Sequence, residues 1–148
     1  MKFSKAFSSP APLFRILLID DNREGLKARK SVLEEQGYEV VTASSPEDGL
    51  SLFAATNFDM VVTDYKMPRM NGQKVIEHIR AKRPTTPIVL LSGMVEPLGL
   101  DEKNTGADVV VAKNCNEVQN LIRAITRLMR KPPRSQRSSG PKVKKQTV

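Results

Sequence analysis

Five short apolar runs, each bounded by turn-forming residues, punctuate the chain at Ile16–Ile19, Val40–Thr42, Met60–Thr63, Ile88–Leu91 and Val109–Val111. They are too short for helices and rich in β-branched side chains, so they predict five strands. The segments between them carry a helical period. Residues 22–36 set Leu26 and Leu33 on an apolar stripe beside a charged one holding Arg29 and Lys30. Residues 46–55 start at Pro46 with Ser45 as N-cap and gather Leu50, Phe53 and Ala54 on one face. Residues 72–82 gather Val75, Ile76 and Ile79, and residues 116–130 gather Val118, Leu121, Ile122, Ile125 and Leu128 behind a cap at Asn114 or Asn116. The segment between the fourth and fifth strands is irregular: Pro97 and Gly99 oppose a helix interior, so at most a short helix near residues 98–104, or a loop, is expected.

Strands that are nearly continuous in apolar residues, alternating with amphipathic helices, predict a parallel sheet covered on both faces. The fold class is therefore α/β, a doubly wound five-stranded sheet, with the functional crevice at the carboxyl ends of the strands. Residues 1–12 have no useful periodicity and are expected to be a flexible leader; residues 13–130 form the domain. Residues 131–148, rich in Pro, Ser, Lys and Arg, are expected to be a disordered basic tail.

The charge is unevenly placed. Net charge is +8, from 24 Lys and Arg against 16 Asp and Glu, yet all 16 acids and 16 of the cations fall between Arg15 and Arg130. The globular stretch is neutral and the excess lies in the two ends. No apolar run reaches the ~18 residues of a membrane span, and no secretory h-region follows the basic first residues. The single cysteine, Cys115, cannot make an internal disulfide, which fits a reducing cytoplasm.

The residues that follow the strands carry the chemistry. Asp20 and Asp21 follow the first, Asp64 the third, Ser92 the fourth and Lys113 the fifth. A doubly wound sheet brings these five to one edge. Carboxylates that close repel by about 4 kcal/mol per pair at 4 Å and an effective dielectric of ~20, a cost that a hard divalent cation removes. Magnesium, held by a few carboxylates while keeping waters, is the natural occupant. That set suits phosphoryl transfer, with Asp64 as nucleophile, Lys113 neutralising a phosphoryl oxygen and Ser92 hydrogen-bonding another.

Residues 14–130 resemble the receiver domain of bacterial two-component response regulators. The resemblance rests on Leu18–Asp21, on Asp64 followed by Met67-Pro68 and Met70–Gly72, on Leu90–Gly93, and on Gly106–Lys113, in order and at suitable spacing. It implies a flavodoxin-like sheet of strand order 2-1-3-4-5. It also implies a phosphoprotein that accepts a phosphoryl group on Asp64 from a phosphohistidine donor, a sensor histidine kinase or a histidine phosphotransfer protein. Asp21, Asp64 and the backbone carbonyl of Lys66 would then bind Mg2+ directly, with Asp20 acting mainly through water. Such a module is cytoplasmic, catalyses no reaction beyond its own phosphorylation and dephosphorylation, and signals to a downstream protein by a change of conformation. With no output domain after Arg130, the expected form is a stand-alone receiver.

Three departures from the family pattern bear on mechanism. Asn114 stands where receivers usually carry proline joined by a cis bond, so a trans bond is expected. Val110 takes the place of an aromatic switch residue and excludes an aromatic in–out switch there. The Pro97/Gly99 segment makes the usual output face irregular, so loop ordering is the expected readout. Lys66, two residues past Asp64, is placed to pair with the phosphoryl group and alter dephosphorylation. Two rival functions follow from the same residues: a nucleic-acid-binding adaptor working through the basic tail, and a degenerate receiver that works without phosphorylation. His78 reads as a solvent-facing helix residue, Cys115 as a helix-start residue, and Met67 and Met70 as packing beneath the Asp64 loop.

Overall fold

The computed structural model describes residues 14–93 and 95–130; the leader expected over residues 1–12 and the tail expected over 131–148 lie outside the described residues. The chain runs β1 (Arg15–Ile19), α1 (Arg23–Glu35), β2 (Glu39–Ala43), α2 (Pro46–Ala55), β3 (Met60–Asp64), α3 (Gly72–Lys82) and β4 (Ile88–Ser92). Two four-residue turns of helix follow, α4 (Val95–Leu98) and α5 (Glu102–Thr105), then β5 (Val109–Ala112) and α6 (Glu117–Met129). The five strands form one sheet in the order β2-β1-β3-β4-β5, every pair parallel. The expected strand order and class hold.

Alternation along the strands builds two cores. Ile16 and Leu18 face Leu26, Leu33, Leu121 and Ile125 on one side of the sheet, with α1 and α6. Leu17 and Ile19 face Phe53, Val75, Ile76 and Ile79 on the other, with α2 and α3. β3 and β4 are buried along their whole length, which is why they read as continuous apolar runs. Each such side chain withdrawn fully from water contributes roughly 1.5–3 kcal/mol.

The helix faces hold with local shifts. In α2 the buried line is Pro46, Gly49 and Phe53, whereas Leu50 is only partly covered and Ala54 is exposed. The cause is close approach: a Cβ on Gly49 would stand 2.5 Å from Ile19 Cδ1, so the glycine line, not the leucine line, sits on the sheet. In α6, Val118 is 43% exposed and Ala124 is buried in the stripe instead. The caps follow the sequence at Ser45, whose hydroxyl accepts the Asp48 amide at 3.1 Å. Asn116 occupies the N-cap position of α6 but makes no side-chain cap bond.

The irregular segment is two short helices rather than one near 98–104. Gly99, at φ 62°, ends the first, and an Asp101–Asn104 capping box starts the second. No peptide bond among the described residues is cis, as expected at Asn114.

Candidate functional site

β1 lies at the centre of the sheet's reversal, with β2 on one side and β3 on the other, so the crevice opens beyond the carboxyl ends of β1 and β3. The sheet register extends one residue past β1: the Asp20 amide donates to the Ala43 carbonyl at 3.1 Å. That bond fixes the backbone of Asp20 and turns its side chain into the crevice, where only 1% of the residue is exposed. Asp20 Oδ1 accepts the Asn22 amide at 3.0 Å, and Oδ2 accepts Arg29 Nη1 at 2.6 Å. Asp21 stands exposed at the mouth. The cap of α1 is neither aspartate but Asn22, whose Oδ1 accepts the Gly25 amide at 3.0 Å.

Asp64 closes β3 and is buried. Its Oδ1 lies 2.6 Å from Lys113 Nζ, which also stands 3.7 Å from Asp20 Oδ2. Burial pushes the Asp64 carboxyl above its ordinary value and the neighbouring Asp20 charge adds to this, against the lowering pull of Lys113 and Arg29. One carboxylate oxygen from each of Asp20, Asp21 and Asp64 lies within 4.8 Å of the other two. Three hard oxygen donors converging at that spacing fit a small divalent cation that retains waters.

The loop after Asp64 is shaped by contact with the start of α3. The Tyr65 amide donates to the Leu91 carbonyl at 2.9 Å, and the Gly72 amide donates back to the Tyr65 carbonyl at 2.7 Å. A Cβ at Gly72 would overlap the Asp64 carbonyl oxygen and come within 2.9 Å of Tyr65 Cα. Only glycine lets the helix start so close to the aspartate. Met67 is buried under this loop and Met70 packs on the same core, as expected. Arg69, at φ 70°, is tied to Glu47 through two bonds of 3.1 and 3.2 Å. Lys66 is exposed at the rim, two residues beyond Asp64.

Ser92 and Lys113 enter from the neighbouring strands. Ser92 ends β4, one residue beyond the Leu91 that pairs with Asp64, and is 1% exposed. Its carbonyl accepts the Lys113 amide at 2.9 Å, which locks the β5 exit loop onto the end of β4. The structure thus brings Asp20, Asp21, Asp64 and Lys113 together, with Ser92 at the adjacent strand end. His78 is exposed on α3, its Nδ1 2.9 Å from the Lys74 carbonyl, and Cys115 is exposed in the loop before α6.

Two residues of the crevice carried no signal read from the sequence. Arg29 looked like part of a solvated stripe, yet its side chain is only 10% exposed and bridges Asp20 to Glu117 Oε2, 2.6 Å from its Nε. Burial alone would lower the guanidinium pKa; Glu117 and Asp20 more than reverse this and raise it. The available hint was a cation on the inner edge of an amphipathic helix, four residues after a glycine.

Residues 16–126 match the family model described as the response regulator receiver domain. The cell cycle response regulator CtrA of Brucella ovis is 30% identical over 119 residues, covering 76% of this chain and 50% of CtrA. The chain spans about half the length of the curated relatives it matches. Among solved structures, a response regulator receiver domain protein from Clostridium thermocellum superposes with a TM-score of 0.70 at 34% identity, over 78% of this chain and 93% of that one. The response regulator TrrA of Thermotoga maritima, solved with Mg2+–BeF, gives 0.70 at 32% identity, over 78% and 99%.

Proposed function

The chain belongs to the response regulator receiver domain family of two-component systems, and from that premise we propose that it works by magnesium-dependent transfer of a phosphoryl group onto Asp64. One observation carries the reading: a buried carboxylate at the end of β3 shares its crevice with two further carboxylates within 4.8 Å and an ammonium at 2.6 Å. A similar receiver, TrrA, has been solved with Mg2+–BeF, which agrees with that donor set.

An Asp64 oxygen attacks the phosphorus of a phosphohistidine in a sensor kinase or phosphotransfer protein. The P–O bond to Asp64 forms as the P–N bond to the donor imidazole breaks, and the imidazole nitrogen leaves with the electron pair and takes up a proton. The product is an acyl phosphate. Asp21, Asp64 and the Lys66 carbonyl would hold Mg2+, with Asp20 acting through water, and the ion would supply neutralisation of charge on the transferring oxygens. Lys113 already touches Asp64 and moves to a phosphoryl oxygen as charge passes there. Ser92, at the end of the adjacent strand, donates to another. The downstream signal passes to a partner protein in the cytoplasm, and the change it reads is a rearrangement of α4 and α5, since Val110 has no aromatic ring to rotate.

Incubation with Mg2+ and a small acyl or amido phosphate, followed by intact-mass measurement, tests this. One phosphoryl group on the wild type and none on Asp64→Ala is the expected result. An adduct persisting in Asp64→Ala overturns the site, and no adduct on the wild type favours a receiver that works without phosphorylation.

A further inference from the structure

Arg29 ties α1, the end of β1 and the start of α6 together beside the crevice. It leaves α1, reaches Asp20 at the end of β1 with Nη1 at 2.6 Å, and reaches Glu117 in the first turn of α6 with Nε at 2.6 Å. Glu117 sits where a helix favours an anion, so the acid end of the bridge is placed well. The bridge also bears on Lys113. Only Asn114, Cys115 and Asn116 separate Lys113 from Glu117, and that short loop is pinned by Glu117 N to Asn114 O at 3.0 Å and Asn116 N to Asn114 Oδ1 at 2.8 Å. Asp20, Arg29, Glu117, the loop and Lys113 therefore form a closed ring, with Lys113 Nζ 3.7 Å from Asp20 Oδ2.

Helix α1 is built to admit the guanidinium. Gly25 lies one turn before Arg29, and a Cβ there would stand 3.0 Å from Arg29 Nη1 and 3.6 Å from Asp20 Oδ2. Glycine inside a helix costs about 1 kcal/mol relative to alanine, and here it leaves the space that the bridge occupies. Asp20, for its part, has both oxygens engaged by protein donors.

We infer that Arg29 is a positioning residue that holds Asp20 back from the cation and sets a low affinity of the site for Mg2+. The inference rests on the reading of the crevice as a magnesium-dependent phosphoacceptor site. Asp20, Asp21, Asp64 and Glu117 bring four negative charges and Lys113 and Arg29 two positive ones, so the site keeps a net charge of about −2 for the metal. Without the guanidinium it becomes about −3 and Asp20 is released toward the cation.

Calorimetric Mg2+ titration of the whole chain, wild type against Arg29→Met, Arg29→Lys and Glu117→Gln, reads this directly. Arg29→Met should bind Mg2+ roughly tenfold more tightly, the order expected when one unit charge near a dication is removed in a high-dielectric site. Arg29→Lys should stay within about twofold of wild type, and Glu117→Gln, which strips an anion and leaves the guanidinium, should bind several-fold more weakly. A bridge that merely braced the fold would weaken binding in Arg29→Met, so the sign of the change decides. Unchanged or weaker binding in a folded Arg29→Met overturns the inference. Should that variant not fold, unchanged binding in Glu117→Gln overturns it instead. Wild type that binds Mg2+ and takes up a phosphoryl group while the variants match it refutes the role of Arg29 alone; wild type that does neither refutes the phosphoacceptor reading and this inference together.

Discussion

Replacing Asp64 with asparagine should make the metal-free protein more stable, although it removes a residue that makes an ion pair at 2.6 Å. The sign follows from competing contributions. Asp20 Oδ and Asp64 Oδ lie within 4.8 Å, so their repulsion is at least about 3.5 kcal/mol at an effective dielectric of ~20. Asp21 adds a smaller share because it is exposed to water. Lys113 returns about 6 kcal/mol on the same scale. These Coulomb contributions come within a few kcal/mol of cancelling, and the cost of burying the Asp64 charge, several kcal/mol for an ion of this size, tips the balance against ionisation. The raised pKa of Asp64, caused first by burial, has that same sign. Asparagine keeps an oxygen for Lys113 and sheds the charge, so a net gain of about 1–2 kcal/mol is expected at neutral pH.

Urea unfolding of the two proteins without divalent metal, repeated across pH, is the assay. A carboxyl whose pKa is raised on folding binds more protons in the native state than in the unfolded one. Wild-type stability should therefore fall as pH rises above the ordinary carboxyl value of 3.8 and level off beyond the folded value, while Asp64→Asn lacks this decline. Mg2+ should reverse the order, since a ligand at a hundred times its Kd stabilises the form that binds it by about 2.7 kcal/mol. Asp64→Asn proving less stable than wild type without metal at pH 7 would show that the Lys113 pair outweighs burial, and the electrostatic account of the crevice would fail.

Two substitutions separate the loop from the scaffold. Gly72→Ala forces a methyl group against the Asp64 carbonyl and should cost roughly 1–3 kcal/mol by thermal unfolding while slowing phosphoryl uptake measured by intact mass, because the displaced backbone is the one that aims Asp64; an unchanged rate of uptake would contradict that. Arg80→Met should act on stability alone. Arg80 binds the Gly106 and Thr86 carbonyls and pairs at 3.0 Å with Asp108, a side chain only 3% exposed. Leaving that carboxylate buried without its cation should cost about 3–5 kcal/mol in urea unfolding, with phosphoryl uptake by the folded protein unaltered.

What was legible in the sequence follows the range of the interactions involved. The strands were legible because β1, β3 and β4 are buried on both faces, so their composition alone marks them. The crevice was legible because each of Asp20, Asp64, Ser92 and Lys113 sits at or just past a strand end, and a parallel sheet brings those ends together whatever the details of the helices. The inner face of α2 was not, because it depends on how closely Gly49 approaches Ile19, and periodicity treats glycine as a gap instead of a contact. The irregular segment was recognised by Pro97 and Gly99, but the Asp101–Asn104 capping box that splits it in two depends on side-chain geometry. Arg29 was hidden for a different reason: its partner Glu117 is 88 residues away, and an arginine beside Lys30 looks solvated until α6 is laid against α1.

Distance in sequence also explains why the site does not compromise the fold. Asp20, Asp21, Asp64 and Lys113 belong to the carboxyl edge of the sheet, beyond the last apolar layer, while the two cores lie below it and include none of them. The repulsion among Asp20, Asp21 and Asp64 is thus confined to chain segments already held by strand register, by the Asp20–Ala43 and Tyr65–Leu91 bonds and by Gly72. A crowded set of acids in a loop would relieve itself by moving apart. Here it is kept from relaxing, and a divalent cation held as proposed would relieve it. The strand ends that make the site recognisable in sequence are therefore also what lets it respond to a change of charge.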